Sequence, residues 1–168
     1  LNSDGSKDNG FTQLAANLRG GESIGIKILP DGRLFVFGNN FYGFLAQINS
    51  DGSKNNSFQS PAITPTPNMF TRSGIFDIAL QTDGKLVVVG YFDSINGISR
   101  LGAARLNADQ GVDMSFNPTF AFPAQYGIGR VFAVSNNKLL FVSSEVNISK
   151  DIERHNYDGS NDGTFEFP

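Results

Sequence analysis

The sequence predicts an all-β chain of antiparallel meanders. Three features carry that reading: two alternating motifs, apolar runs that do not alternate with polar residues, and an excess of turn residues. The first motif reads LNSDGSKDNGF at 1–11, INSDGSKNNSF at 48–58, LNADQGVDMSF at 106–116 and HNYDGSNDGTF at 155–165. The second reads IKILPDGRLFVFG at 26–38, IALQTDGKLVVVG at 78–90 and VFAVSNNKLLFVS at 131–143. Successive copies lie roughly fifty residues apart, the size of a four-stranded sheet that stacks on its neighbours. With 19 Gly, 16 Phe and no sustained helical periodicity, the composition points the same way.

In chain order, residues 1–11 are expected to be an overhanging strand of a preceding unit. The second motif is a hairpin: strand, turn, strand. In the middle copy Asp83-Gly84 is read as a two-residue type I′ turn, which needs φ > 0 at both central residues. Asn136-Asn137 in the third copy is a chemically sensible substitute, because Asn tolerates the left-handed region better than most residues. A third strand at 103–107, a turn at 109–111 and a fourth strand at 112–116 complete the middle unit. The irregular stretches 12–23, 59–74 and 117–127 are expected to be connections, and the last two carry prolines, which remove ladder donors.

Burial separates stacked blades from a plain meander. A sheet with one wet face alternates apolar and polar residues, whereas a sheet held between neighbours is apolar on both faces. The runs LFVF at 34–37, LVVV at 86–89 and LLFV at 139–142 do not alternate, so all three are expected to be buried on both sides. The expected architecture is therefore a β-propeller segment of about three blades, each a four-stranded antiparallel meander. It forms a single repeat region over 1–168, with repeats at about 12–58, 59–116 and 117–165. Closed propellers have about four to eight blades. The missing ones are expected from the same polypeptide, or else from other copies of the chain, because an end blade would expose apolar surface.

Composition excludes several functions. The net charge is −3 and the 13 Lys and Arg are scattered singly, which argues against nucleic-acid binding. Apolar runs stop at about four residues, far short of a membrane span. With no Cys there is no disulfide, thiolate nucleophile or Cys-ligated metal. The chain opens on Leu1 without a signal-peptide pattern, so it is expected to be processed or part of a longer protein, with targeting information outside it.

The D-G-K/R-L turn, the Gly90-Tyr91-Phe92 element, the strand ending A-R-L-N-A-D at 104–109 and the closing D-x-S-F at 113–116 together resemble the bacterial delta-60 β-propeller repeat. The resemblance covers nearly the whole chain and is closest in the middle repeat. The third repeat departs from it at Asn136-Asn137, Ser143 and His155. The resemblance implies a propeller within large secreted or surface-exposed bacterial proteins, with no enzymatic activity common to the repeats and no catalytic residue to carry over.

Candidate chemistry is sparse. Acidic pairs recur at Asp4/Asp8, Asp51/Asn55, Asp109/Asp113 and Asp158/Asp162. Clustered oxygens can hold Ca²⁺, but the spacing is not that of a calcium loop, and Asx turns with local pairing account for it. His155 is the only histidine; no nucleophile motif accompanies it, and it is read as a partly solvated end-blade residue. Phe41, Tyr42, Phe44, Tyr91, Phe92, Phe120 and Phe122 lie near loops and could stack on sugar rings or fill the wedge between blades. Asn55-Asn56-Ser57 and Asn147-Ile148-Ser149 match a glycosylation pattern that is frequently accidental, and Arg19-Gly20-Gly21 does not make a phosphate loop.

No residue is assigned a catalytic, cofactor-binding or metal-binding role, and no cofactor is expected. The function expected is a non-catalytic structural or binding module, extracellular or at the cell surface, that contacts a protein or glycan. The alternatives are a virion component, such as a tail fibre or capsid decoration, and the substrate-recognition domain of an extracellular enzyme.

Overall fold

The computed structural model describes residues 3–11, 23–39, 44–64, 74–121, 127–144 and 152–165. In chain order its strands are β1 (Ser23–Ile28), β2 (Leu34–Asn39), β3 (Phe44–Ile48), β4 (Ile63–Thr64), β5 (Gly74–Leu80), β6 (Leu86–Tyr91), β7 (Ser94–Ile95), β8 (Ile98–Ser99), β9 (Ala103–Leu106), β10 (Ile128–Val134), β11 (Lys138–Ser143) and β12 (Ile152–Asn156). Among the described residues there is no helix. Three antiparallel meanders, β1-β2-β3, β5-β6-β9 and β10-β11-β12, are the blades.

The expected fourth strand is reduced in each blade to a single bridge: Ile48↔Lys54, Leu106↔Val112 and His155↔Asn161. The reason is local. One residue past the middle bridge, Asp113 turns its carboxylate onto the Ser115 N–H at 3.0 Å, and the ladder ends in an Asx turn. Asn55 and Asp162 do the same to Ser57 and Thr164 at 3.0 and 3.2 Å.

The blades stack through their sheet faces. Leu86 and Val88 of β6 join Phe35, Phe37 and Leu45 of the first blade, while Val87 and Val89 join Leu139 and Phe141 of the third. Strand β6 is buried at every position, as its unbroken apolar run requires. Strand β11 departs from the expectation: Leu139 and Phe141 are buried, but Leu140 and Val142 are only partly so. No blade among the described residues lies on that face. In the first blade the corresponding outer face carries its own small cluster of Val36, Ala46 and Ile48.

Turn chemistry differs from the type I′ expectation. Gly84 has φ 83°, but Asp83 is not among the positive-φ residues. The Gly84 N–H bonds the Gln81 carbonyl at 3.0 Å, and the Gln81 N–H bonds the Lys85 carbonyl at 2.8 Å. This is a three-residue loop, a type I turn followed by a left-handed glycine. The same pair of bonds recurs at 29–33, 49–53, 107–111 and 156–160. Consecutive left-handed residues occur instead at Asn136-Asn137, with φ 60° and 53°, and at Asn96-Gly97, with φ 49° and 77°.

Asn96-Gly97 closes a hairpin, β7-β8, whose first strand pairs with β4. Strand β4 lies inside the stretch 59–74 read as a connection, and β7-β8 lies between the second and third strands of the middle repeat. This small sheet seats Ile63, Phe92 and Ile95 in the core between the first two blades, and it lengthens the middle repeat.

Close backbone approach makes Gly90 a sensitive position. A Cβ there would overlap the Gly74 carbonyl on the paired strand β5. Gly90→Ala is expected to lower stability by roughly 2–3 kcal/mol, as overpacking does. The check is the urea midpoint, and an unchanged midpoint would mean that β5 can move aside.

Candidate functional site

The repeats build one polar constellation three times, and its members come from the hairpin turn, the third strand and the closing motif. In the second blade, Arg105 sits on β9 with its guanidinium against Asp113 Oδ2, at 3.0 Å from Nε and 2.9 Å from Nη2. Lys85 Nζ reaches the same oxygen at 2.9 Å, and Asp113 Oδ1 takes the Ser115 N–H and hydroxyl at 3.0 and 2.6 Å. Arg105 is 3% exposed and Asp113 7%, so this is a buried ion pair. Burial pushes the Asp113 carboxyl up, yet the bonds from Ser115, Lys85 and Arg105 outweigh it and hold it well below the usual carboxylate range.

The third blade repeats the arrangement with Arg154, Asp162 and Lys138, at 2.7 Å for Arg154 Nε and 3.2 Å for Lys138 Nζ. The Thr164 hydroxyl donates to the other Asp162 oxygen at 2.7 Å. In the first blade the pair is replaced by amides. Gln47 stands where Arg105 and Arg154 stand, and Asn55 stands where the aspartates stand. Asn55 Nδ2 donates to Gln47 Oε1 at 2.6 Å, and Arg33 donates to the same oxygen at 3.1 Å. Arginine and aspartate have been exchanged together, and the local charge balance is preserved.

The aspartates at the turns serve those turns. Asp4, Asp31, Asp51, Asp83, Asp109 and Asp158 each accept a backbone N–H two residues on, at 2.9 to 3.1 Å, and Asp8 does so for Gly10 at 2.8 Å. Asx turns therefore account for the repeated carboxylates. Among the described residues no cluster of three or more His, Asp or Glu is placed to hold a metal.

His155 is a correction to the solvated reading, for its side chain is 0% exposed. Its Nδ1 meets the Gly159 carbonyl at 2.9 Å and its Nε2 meets Glu153 Oε2 at 3.1 Å. Phe120 and Phe141 pack on the ring at 5.0 Å. Enclosed in this way, the imidazole touches no open surface. Tyr91 and Phe92 are likewise buried, and Phe44 and Phe120 pack against core clusters, so none of the four is a free stacking platform. Phe41, Tyr42, Phe122, Asn147 and the segment 19–21 lie outside the described residues. The Asn55 amide is held on both sides, by Gln47 and by the Ser57 N–H.

Three features escaped the sequence reading. Asp77 links the first strands of all three blades: Lys27 Nζ lies at 3.5 Å from Oδ1, and the Val131 N–H donates to Oδ2 at 3.1 Å. Its signal is an acid inside the apolar run IFDIAL. Arg100 donates to the carbonyls of Ser99, Phe116 and Met114 at 2.8, 3.1 and 3.3 Å, tying the closing turn to the β7-β8 hairpin.

The third feature is a cleft of about 370 Å³ between the first and second blades, at the hairpin-turn end. Leu29, Phe35, Phe58 and Leu106 form its apolar floor, and Arg33, Gln47 and Asn55 line one side. Gln110 closes the rim. Its Oε1 accepts the Gln59 N–H at 2.6 Å and its Nε2 donates to the Ser57 carbonyl at 3.1 Å, from a backbone at φ 71°.

Stacked antiparallel blades of this kind define a β-propeller segment. In agreement, the family described as "Domain of unknown function (DUF5122) beta-propeller" matches residues 81–116. Among curated proteins none matches the chain. A crystal structure of a protein of unknown function from Bacteroides caccae is similar at 12% identity and a TM-score of 0.41. The alignment covers 81% of this chain and 64% of that one, so the chain spans less than two thirds of that protein. Among the described residues no helix is long and apolar enough to cross a membrane.

Proposed function

We propose that the chain is a non-catalytic structural and binding segment of a propeller of the delta-60 repeat type. In this reading it belongs to a secreted or surface-exposed bacterial protein and contacts a protein or a glycan. The observation that carries the reading is the apolar side chains left exposed on the first strands of the two outer blades, in register with residues on the faces turned away from the second blade. Ile26 and Ile28 of β1 and Phe132 of β10 are all exposed, beside a scaffold whose repeated polar groups are bonded to one another. Exposed apolar side chains on a rigid sheet are the ordinary material of a contact surface.

The test pairs binding with turnover. The purified chain is applied to a glycan array and to surface-protein extracts of bacteria, and in parallel to panels of chromogenic glycosides, esters and peptides. Saturable binding without turnover is expected, with binding weakened in Ile28→Asp. Turnover that is lost on loop substitution would overturn the reading in favour of an enzyme.

A further inference from the structure

The cleft between the first two blades has an internal reference, because the same junction occurs again one blade further on. There the place of Gln47 is taken by Arg105, that of Leu29 by Gln81, that of Leu106 by His155, and that of Ala108 by Tyr157. Tyr157 closes the second junction. Its ring faces the Arg105 guanidinium at 5.4 Å, its carbonyl accepts from Arg105, and its side chain lies beside Asp83. The first junction carries a methyl group at the equivalent position, and the cleft is the volume left over.

We infer that this cleft is a binding site for a tyrosine side chain presented by a partner polypeptide, seated as Tyr157 is seated in the next junction. The inference rests on the binding reading given above and names its site. The floor is apolar, as a ring requires. A cation is available: Arg33 lines the cleft, fixed by Asp31 at 2.6 Å and by Gln47 at 3.1 Å, and can meet the ring face as Arg105 meets those of Phe116 and Tyr157. The opening is held rather than collapsed. Gln110 keeps a side chain at a left-handed position that Gly159 fills in the other junction, and spends it on clasping Ser57 and Gln59 across the rim. A cleft of this volume lies within the usual range for small-ligand pockets.

The experiment uses the whole 168-residue chain, isotopically labelled, titrated with p-cresol and with N-acetyl-tyrosinamide while amide shifts are followed. Saturable millimolar binding of both is expected, with shifts gathered at Ser57, Phe58, Asn107 and Ala108. Ala108→Tyr places the ring in the cleft covalently. It is expected to abolish both titrations and to raise the melting temperature. Arg33→Ala, a change at a half-buried side chain outside the hydrophobic core, is expected to weaken binding severalfold, which keeps the test decisive should Ala108→Tyr fail to fold. Shifts that are absent, dispersed over the surface or unaltered in both variants would overturn the inference, as would p-cresol binding with N-acetyl-tyrosinamide excluded. A chain that turns over substrate yet binds p-cresol in the cleft would remove the non-catalytic reading and leave the cleft. A chain without turnover that ignores p-cresol would do the reverse.

Discussion

Val88→Asp and Val87→Asp are each expected to abolish cooperative folding, although the two side chains point to opposite faces of one strand. Val88 is 0% exposed and faces the first blade; Val87 is equally buried and faces the third. Each change removes about 2 kcal/mol of apolar burial. It also places an unpaired carboxylate where no water reaches, at a further cost of several kcal/mol. Against a total stability of roughly 5–15 kcal/mol for an ordinary domain, that is decisive. In a sheet with one wet face, one of the two would be mild. Strand β11 provides the contrast within the same molecule. Leu139→Asp is expected to match the valine variants, whereas Leu140→Asp, on the partly exposed face, loses far less. Far-ultraviolet circular dichroism in urea checks all four. A cooperative transition for Val87→Asp or Val88→Asp within about 1 kcal/mol of the parent chain would remove the stacked-blade account, since surface substitutions typically fall within that range.

The pattern of these four sites was largely legible in advance, because an uninterrupted apolar run has one common physical cause. Its limit was β11, whose composition matches β6 but whose outer face has no neighbour among the described residues; burial depends on what packs against a strand as well as on its own residues. Turn type was less legible. The dipeptide Asp83-Gly84 is compatible with a two-residue loop and with the end of a three-residue loop, and the choice is made by pairing Gln81 with Lys85. Asn96-Gly97 carried the stronger signal for a two-residue turn, flanked by short β-branched runs, but it lies in a segment that interrupts the repeat.

Of the polar features, Asp77 and His155 were opaque for a different reason. For Asp77 the partners that make burial tolerable, Lys27 and the Val131 N–H, come from distant parts of the chain; for His155 the hydrogen-bond partners Gly159 and Glu153 are local, but the rings that enclose it, Phe120 and Phe141, are distant. The Arg105–Asp113 pair, by contrast, left a trace that the chain itself supplies. Where one copy has Arg and Asp, another has Gln and Asn at both places. Comparing whole motifs, rather than their turn residues alone, would have marked the two positions as touching.

That paired exchange leads to the second large effect. Arg105→Gln alone leaves Asp113 with Lys85 and Ser115 but without its buried cation, and Asp113→Asn alone strands a guanidinium that is 3% exposed. Breaking one side of a buried pair costs about 3–5 kcal/mol, and each single variant is expected toward the lower end, because Lys85 or Gln81 still offers a partner. The double variant reproduces the first blade's Gln47–Asn55 contact, which forms a 2.6 Å hydrogen bond with no net charge to desolvate. It is expected to recover most of the loss, with a coupling of about 2 kcal/mol in the cycle. The pH dependence follows from the sign of the shift. Asp113 is held below its unfolded value, so its contribution is complete above about pH 4 and is lost as pH falls toward the native value. The double variant should therefore lose less stability on acidification than the parent. Its acid limb flattens without disappearing, because Asp162, held down by Thr164, Lys138 and Arg154, still titrates in the same direction. Strictly additive single effects, or identical acid limbs, would mean that the pair contributes as two separate surface charges and that the repeated constellation does not hold the blade together.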